Sequence, residues 1–238
     1  MTLLLYQTDG YLRQFSAKIT AIDTENRAVI LDQSAFYPGG GGQPCDFGTL
    51  TLGTLTYPVA KVKKQGNDVI HFLGITDLPE LGAKVEAFID WDRRFRLMRT
   101  HTALHVLCGV VFRDYGALVT GGDMELLAGR MDFEFERMQA ELVHEIEESV
   151  NREIQKALDV RVRILPREEA FQIPDLIRTK INLLPEGISQ VRTVEIVGLD
   201  LQADGGTHVA NTSEVGKIRV TDYKSKGAIN KRIYIAVE

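Results

Sequence analysis

The amino-acid sequence predicts an α+β protein in two parts. A small N-terminal β-barrel takes residues 1–90, and an α+β sandwich takes residues 91–238. Three observations carry this. Residues 1–90 alternate polar and apolar side chains in short runs between turns, with no long amphipathic helix. Residues 140–159 repeat apolar side chains at three and four, the period of a helix with one buried face. Beyond residue 91, helices and strands intermix without βαβ regularity.

In the first part, Ser16–Ile22 alternates in strand fashion, and Arg27–Asp32 follows a polar turn at 23–26. The pattern continues over Thr49–Thr56, Tyr57–Val62, Asp68–Phe72 and Lys84–Ile89. Between these runs lies Phe36-Tyr37-Pro38-Gly39-Gly40-Gly41-Gly42-Gln43-Pro44. Four successive glycines give up side-chain packing and cost backbone entropy. Such a run is either a flexible hairpin loop or a loop whose backbone N–H groups approach a ligand closely. It is not a phosphate-binding P-loop, because no Lys-Ser/Thr follows.

Asp90–Arg99 reads as the boundary between the parts and the start of a central helix, capped by Asp90 or Asp92. Gly121-Gly122-Asp123 reads as a turn, followed by an alternating strand from Gly129 to Phe135. The helix over Ala140–Asp159 buries Leu142, Val143, Ile146, Val150, Ile154 and Leu158. A strand at Val160–Leu165 precedes a short helix opened by Pro166, and Ile188–Val197 is a further strand. Ile218–Tyr223 and Arg232–Val237 read as a closing hairpin.

The chemistry concentrates in two stretches. His101 and His105 are four apart on the central helix, so they stack on one face and can reach one metal ion. Thr102 stands where a metalloprotease helix carries its general-base Glu, which excludes that class. Downstream, Asp204 and His208 are also four apart, but Gly205 and Gly206 between them argue for a tight turn. Together the stretches offer three neutral imidazoles, with Asp204 a fourth ligand or a partner that orients His208. His71 and His144, the remaining histidines, lie in an apolar run and a charged helix and read as structural.

Composition sets the limits. With 238 residues and 44% hydrophobic side chains, there is ample material for packed cores. No basic start and no long apolar run marks a signal peptide or membrane span, which implies a cytosolic protein. Cys45 and Cys108 form no dense disulfide framework. A net charge of −5 excludes a generally basic nucleic-acid coat, so RNA contact requires local patches.

The helix segment Arg96-Leu97-Met98-Arg99-Thr100-His101-Thr102-Ala103-Leu104-His105 has a second motif far downstream. That motif is Gly205-Gly206-Thr207-His208-Val209-Ala210-Asn211-Thr212-Ser213-Glu214-Val215-Gly216. In this order the two resemble the editing domain of alanyl-tRNA synthetases and its free-standing relatives, the AlaX-type alanyl-tRNA editing proteins. The similarity runs from the Gly-rich loop to the C-terminus. It implies the architecture of the editing domains of threonyl- and alanyl-tRNA synthetases. It also implies hydrolysis, in trans, of the ester joining Ser or Gly to the 3′ ribose of mischarged alanine tRNA.

The resemblance further implies a zinc ion on His101, His105 and His208, with Asp204 where the family usually has Cys. Aspartate can ligate zinc through oxygen, but as a harder ligand it leaves metal identity open. Cys108 on the helix and Cys45 after the loop are alternative thiolates, although both read more simply as small apolar residues. Gln43 matches the Gln that ends the family's Gly-rich motif, and its amide suits an ester, a ribose hydroxyl or a water. Ser34 stands where the family often carries a Thr that senses the substrate side chain. Backbone N–H groups of the loop, with Gly40, Gly41 and Gly42, suit an oxyanion.

Several basic residues suit tRNA phosphates, each against the plainer reading of a solvated or acid-paired side chain. They are Arg93 and Arg94 at the helix start, Lys61 and Lys63 in one strand-turn, and Lys224, Lys226, Lys231 and Arg232 around the last hairpin. Other classes stay open on sequence alone: a non-catalytic tRNA-binding module, a metal-dependent hydrolase of small esters, and a structural zinc site. Monomer and homodimer are equally open.

Overall fold

Alternation in the first ninety residues builds one antiparallel sheet in the computed structural model, which describes residues 1–179 and 187–238. The strands are β1 (Leu3–Leu4), β2 (Gln14–Asp23), β3 (Ala28–Leu31), β4 (Gln33–Ser34), β5 (Gly48–Leu52), β6 (Leu55–Val59), β7 (Lys61–Gln65), β8 (Asp68–Phe72) and β9 (Lys84–Ile89). Seven of them pair in the order β6-β5-β9-β2-β3-β8-β7, while β1 and β4 form a separate parallel pair. The long strand β2 serves two neighbours: its first half pairs with β9 and its second with β3, with a register shift between Ile19 and Ala21.

Such a shift bends a strand and tightens its twist. The edge strands β6 and β7 are separated in sequence only by Ala60, so the sheet must curl to bring its two ends near one another. It is a curled half-barrel whose hydrogen-bond ladder ends at β6 and β7. Phe15, Ala17 and Ile19 of β2 point inward with Phe36, Leu50, Val69 and Val85 to form its core. The single strand expected over Thr49–Thr56 is broken at Gly53, where φ is +61°. Here a two-residue turn needs a left-handed backbone, which glycine adopts without a Cβ clash.

Next comes helix α1 (Trp91–Tyr115). Asp90 caps it, accepting the Arg93 N–H on Oδ1 at 3.1 Å. Every residue from Thr100 to Val111 is buried. A helix covered on all sides carries no apolar stripe, which explains why its histidine spacing, and not its periodicity, revealed it.

The chain divides into two compact units, Met1–Phe95 and Arg96–Glu238. After α1 the second unit contains β10 (Val119–Glu125), β11 (Ala128–Glu134), α2 (Ala140–Gln155), β12 (Val160–Pro166), α3 (Arg167–Ala170), β13 (Gln190–Ile196), β14 (Asp200–Ala203), β15 (Ile218–Ser225) and β16 (Asn230–Val237). They form a four-stranded sheet, β10-β11-β16-β15, and a three-stranded sheet, β12-β13-β14, both antiparallel. Gly121, Gly122 and Asp123 lie inside β10, paired to Asp132, Met131 and Arg130, and do not form the expected turn. The turn falls at Leu126–Leu127, where Leu127 has φ +57°.

Helix α2 packs against β15 and buries Val143, Ile146, Val150 and Ile154, the stripe its period predicts. Strand β14 was not foreseen. It returns from β13 through a turn at Gly198 and carries the chain to Asp204. No helix among the described residues is long and apolar enough to cross a membrane.

Candidate metal centre

Helical spacing stacks His101 and His105 one turn apart, with ring centroids 5.0 Å apart. His208 comes to them from the loop after β14: its ring lies 4.1 Å from that of His101 and 4.6 Å from that of His105. Asp204 completes the group. Its Oδ1 lies 3.5 Å from His101 Nε2 and 4.0 Å from His105 Nε2, and its Oδ2 lies 3.1 Å from His208 Nε2. One ligand atom from each of the four residues falls within 4.8 Å of all the others. All three Nε2 atoms therefore converge on one carboxylate.

The Asp-Gly-Gly turn explains how this happens. Asp204 Oδ2 accepts the Gly206 N–H at 2.7 Å, an Asx-type turn that swings His208 back over the helix. On the other side Arg192 of β13 donates to the Asp204 carbonyl at 2.9 Å and stands 3.6 Å from Oδ2. Oδ2 is thereby committed to the turn and its neighbours, and Oδ1 faces His101 and His105.

Burial governs the charge states. It pushes His101 down to about 4 and His208 well below the usual histidine value, with the neighbouring imidazoles adding to the effect. Both stay neutral near pH 7, as metal ligation requires. Burial also works against His105, but the Asp200 and Asp204 carboxylates outweigh it and raise its pKa. Burial opposes ionisation of Asp204 too, yet the surrounding imidazoles hold it well below the usual carboxylate range.

These donors fit a metal. A tetrahedral zinc site with bonds of about 2.0–2.1 Å places its ligand atoms about 3.4 Å apart, and the carboxylate–imidazole separations here are 3.1, 3.5 and 4.0 Å. The His105 Nδ1 is buried and makes no hydrogen bond among the described residues, with Asp200 Oδ2 at 3.5 Å. No cysteine joins the group. Cys108 is buried on α1 and its thiol is pushed up by burial, so it serves as a small apolar side chain.

The other expected site residues fall in several places. Ser34 is fully buried, with its hydroxyl 2.8 Å from His71 Nε2 and accepting the Phe36 N–H at 3.2 Å. Gln43 is 2% exposed and engaged within the protein. In the loop, Gly40 and Gln43 exchange backbone hydrogen bonds of 3.0 and 2.9 Å, closing a turn over Gly41 and Gly42. The Gly40 N–H is thus used inside the loop. His144 is exposed beside Glu148.

Among the basic residues, Arg94 and Lys231 require correction. Arg94 cannot reach RNA: its side chain is 0% exposed and ion-paired to Asp46, with further bonds to the Gly10 and Ala35 carbonyls. Lys231 is 5% exposed, its ammonium capping the turn through the Gly227 and Ala228 carbonyls. Arg232 is locked to both oxygens of Asp132 at 2.6 and 2.7 Å. Lys224 is exposed but paired to Asp222 at 2.8 Å. Arg93 lies over Phe47 and donates to the Cys45 carbonyl. Lys61, Lys63 and Lys226 are exposed.

Four residues around the cluster were missed: Thr102, Arg192, Asp200 and Gln202. For Arg192, Asp200 and Gln202 the signal was β-pairing; Thr102 lies on α1 and meets His208 only through the fold. Asp204 donates its N–H to the Arg192 carbonyl across the β13–β14 hairpin, a register invisible while β14 was unrecognised.

Two family descriptions match this chain. Residues 8–93 match tRNA synthetases class II (A), and residues 191–234 match the threonyl and alanyl tRNA synthetase second additional domain. Both matches are to domains of tRNA synthetases. The alanyl-tRNA editing protein AlaX-M of Saccharolobus solfataricus is 39% identical, with 100% of both chains aligned. The AlaX-M protein of Methanosarcina acetivorans is 36% identical over 100% of this chain and 99% of its own. The alanine–tRNA ligase of Pyrobaculum neutrophilum is 36% identical over 91% of this chain but only 25% of its own length. The chain belongs to the AlaX-M family of alanyl-tRNA editing proteins.

Proposed function

We propose that this protein removes Ser or Gly from mischarged alanine tRNA, acting in trans in the cytoplasm, at a zinc ion held by His101, His105, His208 and Asp204. As a member of the editing family it is an aminoacyl-tRNA deacylase, a carboxylic ester hydrolase. The observation that carries the zinc reading is the buried convergence of four ligand atoms within 4.8 Å. Zinc bound there supplies a Lewis acid that holds the aminoacyl group or acidifies a water.

The chain's own residues do the rest. Burial keeps His101 and His208 unprotonated, so their lone pairs stay available. The aminoacyl ester is already activated, so positioning and a directed water suffice. In the first unit, Gly40 and Gln43 each donate an N–H to the other's carbonyl, and the N–H groups of Gly41 and Gly42 suit a substrate oxygen. Exposed Lys61 and Lys63 on β7 suit RNA phosphates. Preference for Ser over Ala follows if the site leaves a polar group unpaired when the Ser hydroxyl is absent.

The test is deacylation of Ser-, Gly- and Ala-charged alanine tRNA by metal-quantified protein, with His101→Ala alongside. Release of Ser or Gly with Ala spared, lost in His101→Ala, is expected. Binding of tRNA without release from any charged form would replace this reading with a binding module.

A further inference from the structure

We propose that Thr102 and Asp200 are positioning residues for the metal ligands, holding Nδ1 of His208 and of His105 so that both Nε2 atoms face Asp204. This rests on the metal reading of the His101, His105, Asp204 and His208 group, and it adds residues outside that group.

Consider His208 first. Its Nδ1 lies 3.1 Å from Thr102 Oγ1, and the same oxygen accepts the Val209 N–H at 3.2 Å. Thr102 and His208 are both buried. One hydroxyl thus grips both the ring and the backbone of the loop that carries it. A hydroxyl can donate or accept, whereas a carboxylate only accepts. Without metal, Asp204 Oδ2 at 3.1 Å takes the Nε2–H of His208, so Thr102 must donate to Nδ1. With Nε2 ligating, the ring proton sits on Nδ1 and Thr102 accepts it. The ring carries one proton in both states, and Thr102 serves both. The residue after the first histidine, whose identity excluded the protease chemistry, here orients a ligand brought from 106 positions away.

His105 is treated differently. Asp200 Oδ2 lies 3.5 Å from its Nδ1, which makes no hydrogen bond among the described residues. Asp200 itself is fixed: its side chain is fully buried, Gln202 donates to Oδ2 at 2.6 Å, and Arg178 donates to Oδ1 at 3.3 Å. Facing an acceptor that cannot donate, His105 keeps its proton on Nδ1 in both states, and its Nε2 lone pair points at the cluster. Gly109, one turn beyond His105, makes the approach possible. A Cβ there would lie 2.9 Å from the Asp200 Cβ and 3.0 Å from Leu199 Cγ.

Histidine ligands are commonly oriented by such partners, whose loss costs about 10–100-fold in metal affinity. The experiment has two readouts on the full chain. Long-range proton–nitrogen correlation spectra of 15N-histidine protein are recorded without metal and with zinc. His105 is expected as the Nδ1–H form in both, and His208 as Nε2–H without zinc and Nδ1–H with it. Zinc affinity is then measured by chelator competition, with apo-protein folding checked by circular dichroism. Thr102→Val is expected to weaken binding about 10–100-fold and Thr102→Ser to restore it, with Asp200→Asn weakened about tenfold.

Native affinity in both Thr102→Val and Asp200→Asn would overturn the proposal, as would equal loss in the valine and serine variants. So would an Nε2–H form of His105 in the native protein, a readout that stands even if a variant fails to fold. Zinc affinity and tautomers are read without tRNA, so failure of the editing assay does not bear on them.

Discussion

Replacing Arg94 by Met should unfold the first unit at much lower denaturant, because Arg94 is ion-paired to the buried Asp46 carboxylate at the foot of the Gly-rich loop. Arg94 and Asp46 are both 0% exposed. The guanidinium Nε reaches both Asp46 oxygens at 2.9 Å, and its other nitrogens donate to the Gly10 and Ala35 carbonyls at 2.9 and 2.6 Å. Asp46 in turn accepts the Tyr37 N–H at 2.6 Å and donates its own N–H to the Tyr37 carbonyl at 3.0 Å. The pair therefore ties residues 37 and 46, the two ends of the loop.

Removing one partner of a buried pair costs about 3–5 kcal/mol, because the other charge is left uncompensated. That is a large share of the roughly 5–15 kcal/mol that stabilises a typical domain. With a urea slope of about 2 kcal/mol per M, a loss of about 4 kcal/mol lowers the midpoint by about 2 M. Trp91 is the sole tryptophan and belongs to this unit, so its fluorescence in urea reports the transition. A midpoint lowered by less than about 0.5 M, equivalent to under about 1 kcal/mol at that slope, would refute the assignment of the pair as a main support.

Three further outcomes are expected. Gly109→Ala should weaken zinc binding and cost about 1–3 kcal/mol, since its methyl meets Asp200 and Leu199; chelator competition and thermal melting check this. Burial pushes His71 down to about 4 from 6.5, so the unfolded chain binds its proton first as pH falls. The stability it contributes is full above about pH 6.5 and falls by about 3 kcal/mol in all as pH drops toward 4; His71→Gln should flatten that slope in Trp91-detected urea titrations at about pH 7 and about pH 5. Lys61→Ala and Lys63→Ala should each weaken tRNA binding and reduce its salt slope by about 1, while Arg232→Ala, already neutralised by Asp132, should leave that slope unchanged in filter binding across salt.

Much of this architecture was written locally. Alternation marked β8 and β9 to the residue, and the three-and-four repeat marked α2, because those patterns follow from which face a side chain takes along one element. The His/Asp group was legible for the same reason: His101 and His105 share a helix face, and Asp204-Gly205-Gly206 makes a turn that brings His208 round.

Tertiary structure decided what depends on partners distant in sequence. Arg93 and Arg94 are neighbours in a basic run, yet one lies over Phe47 and the other is sealed onto Asp46. Lys231 and Arg232 divide the same way, between carbonyls and Asp132. A charge records nothing of its burial, which is set by how strands register and helices pack. Nor could spacing show that Thr102 meets His208 or that Asp200 approaches His105. Those contacts exist only because β14 pairs with β13 and Gly109 lets it close on α1. The chain alone pointed to the His101, His105, Asp204 and His208 group, and the packing showed which residues lie against it.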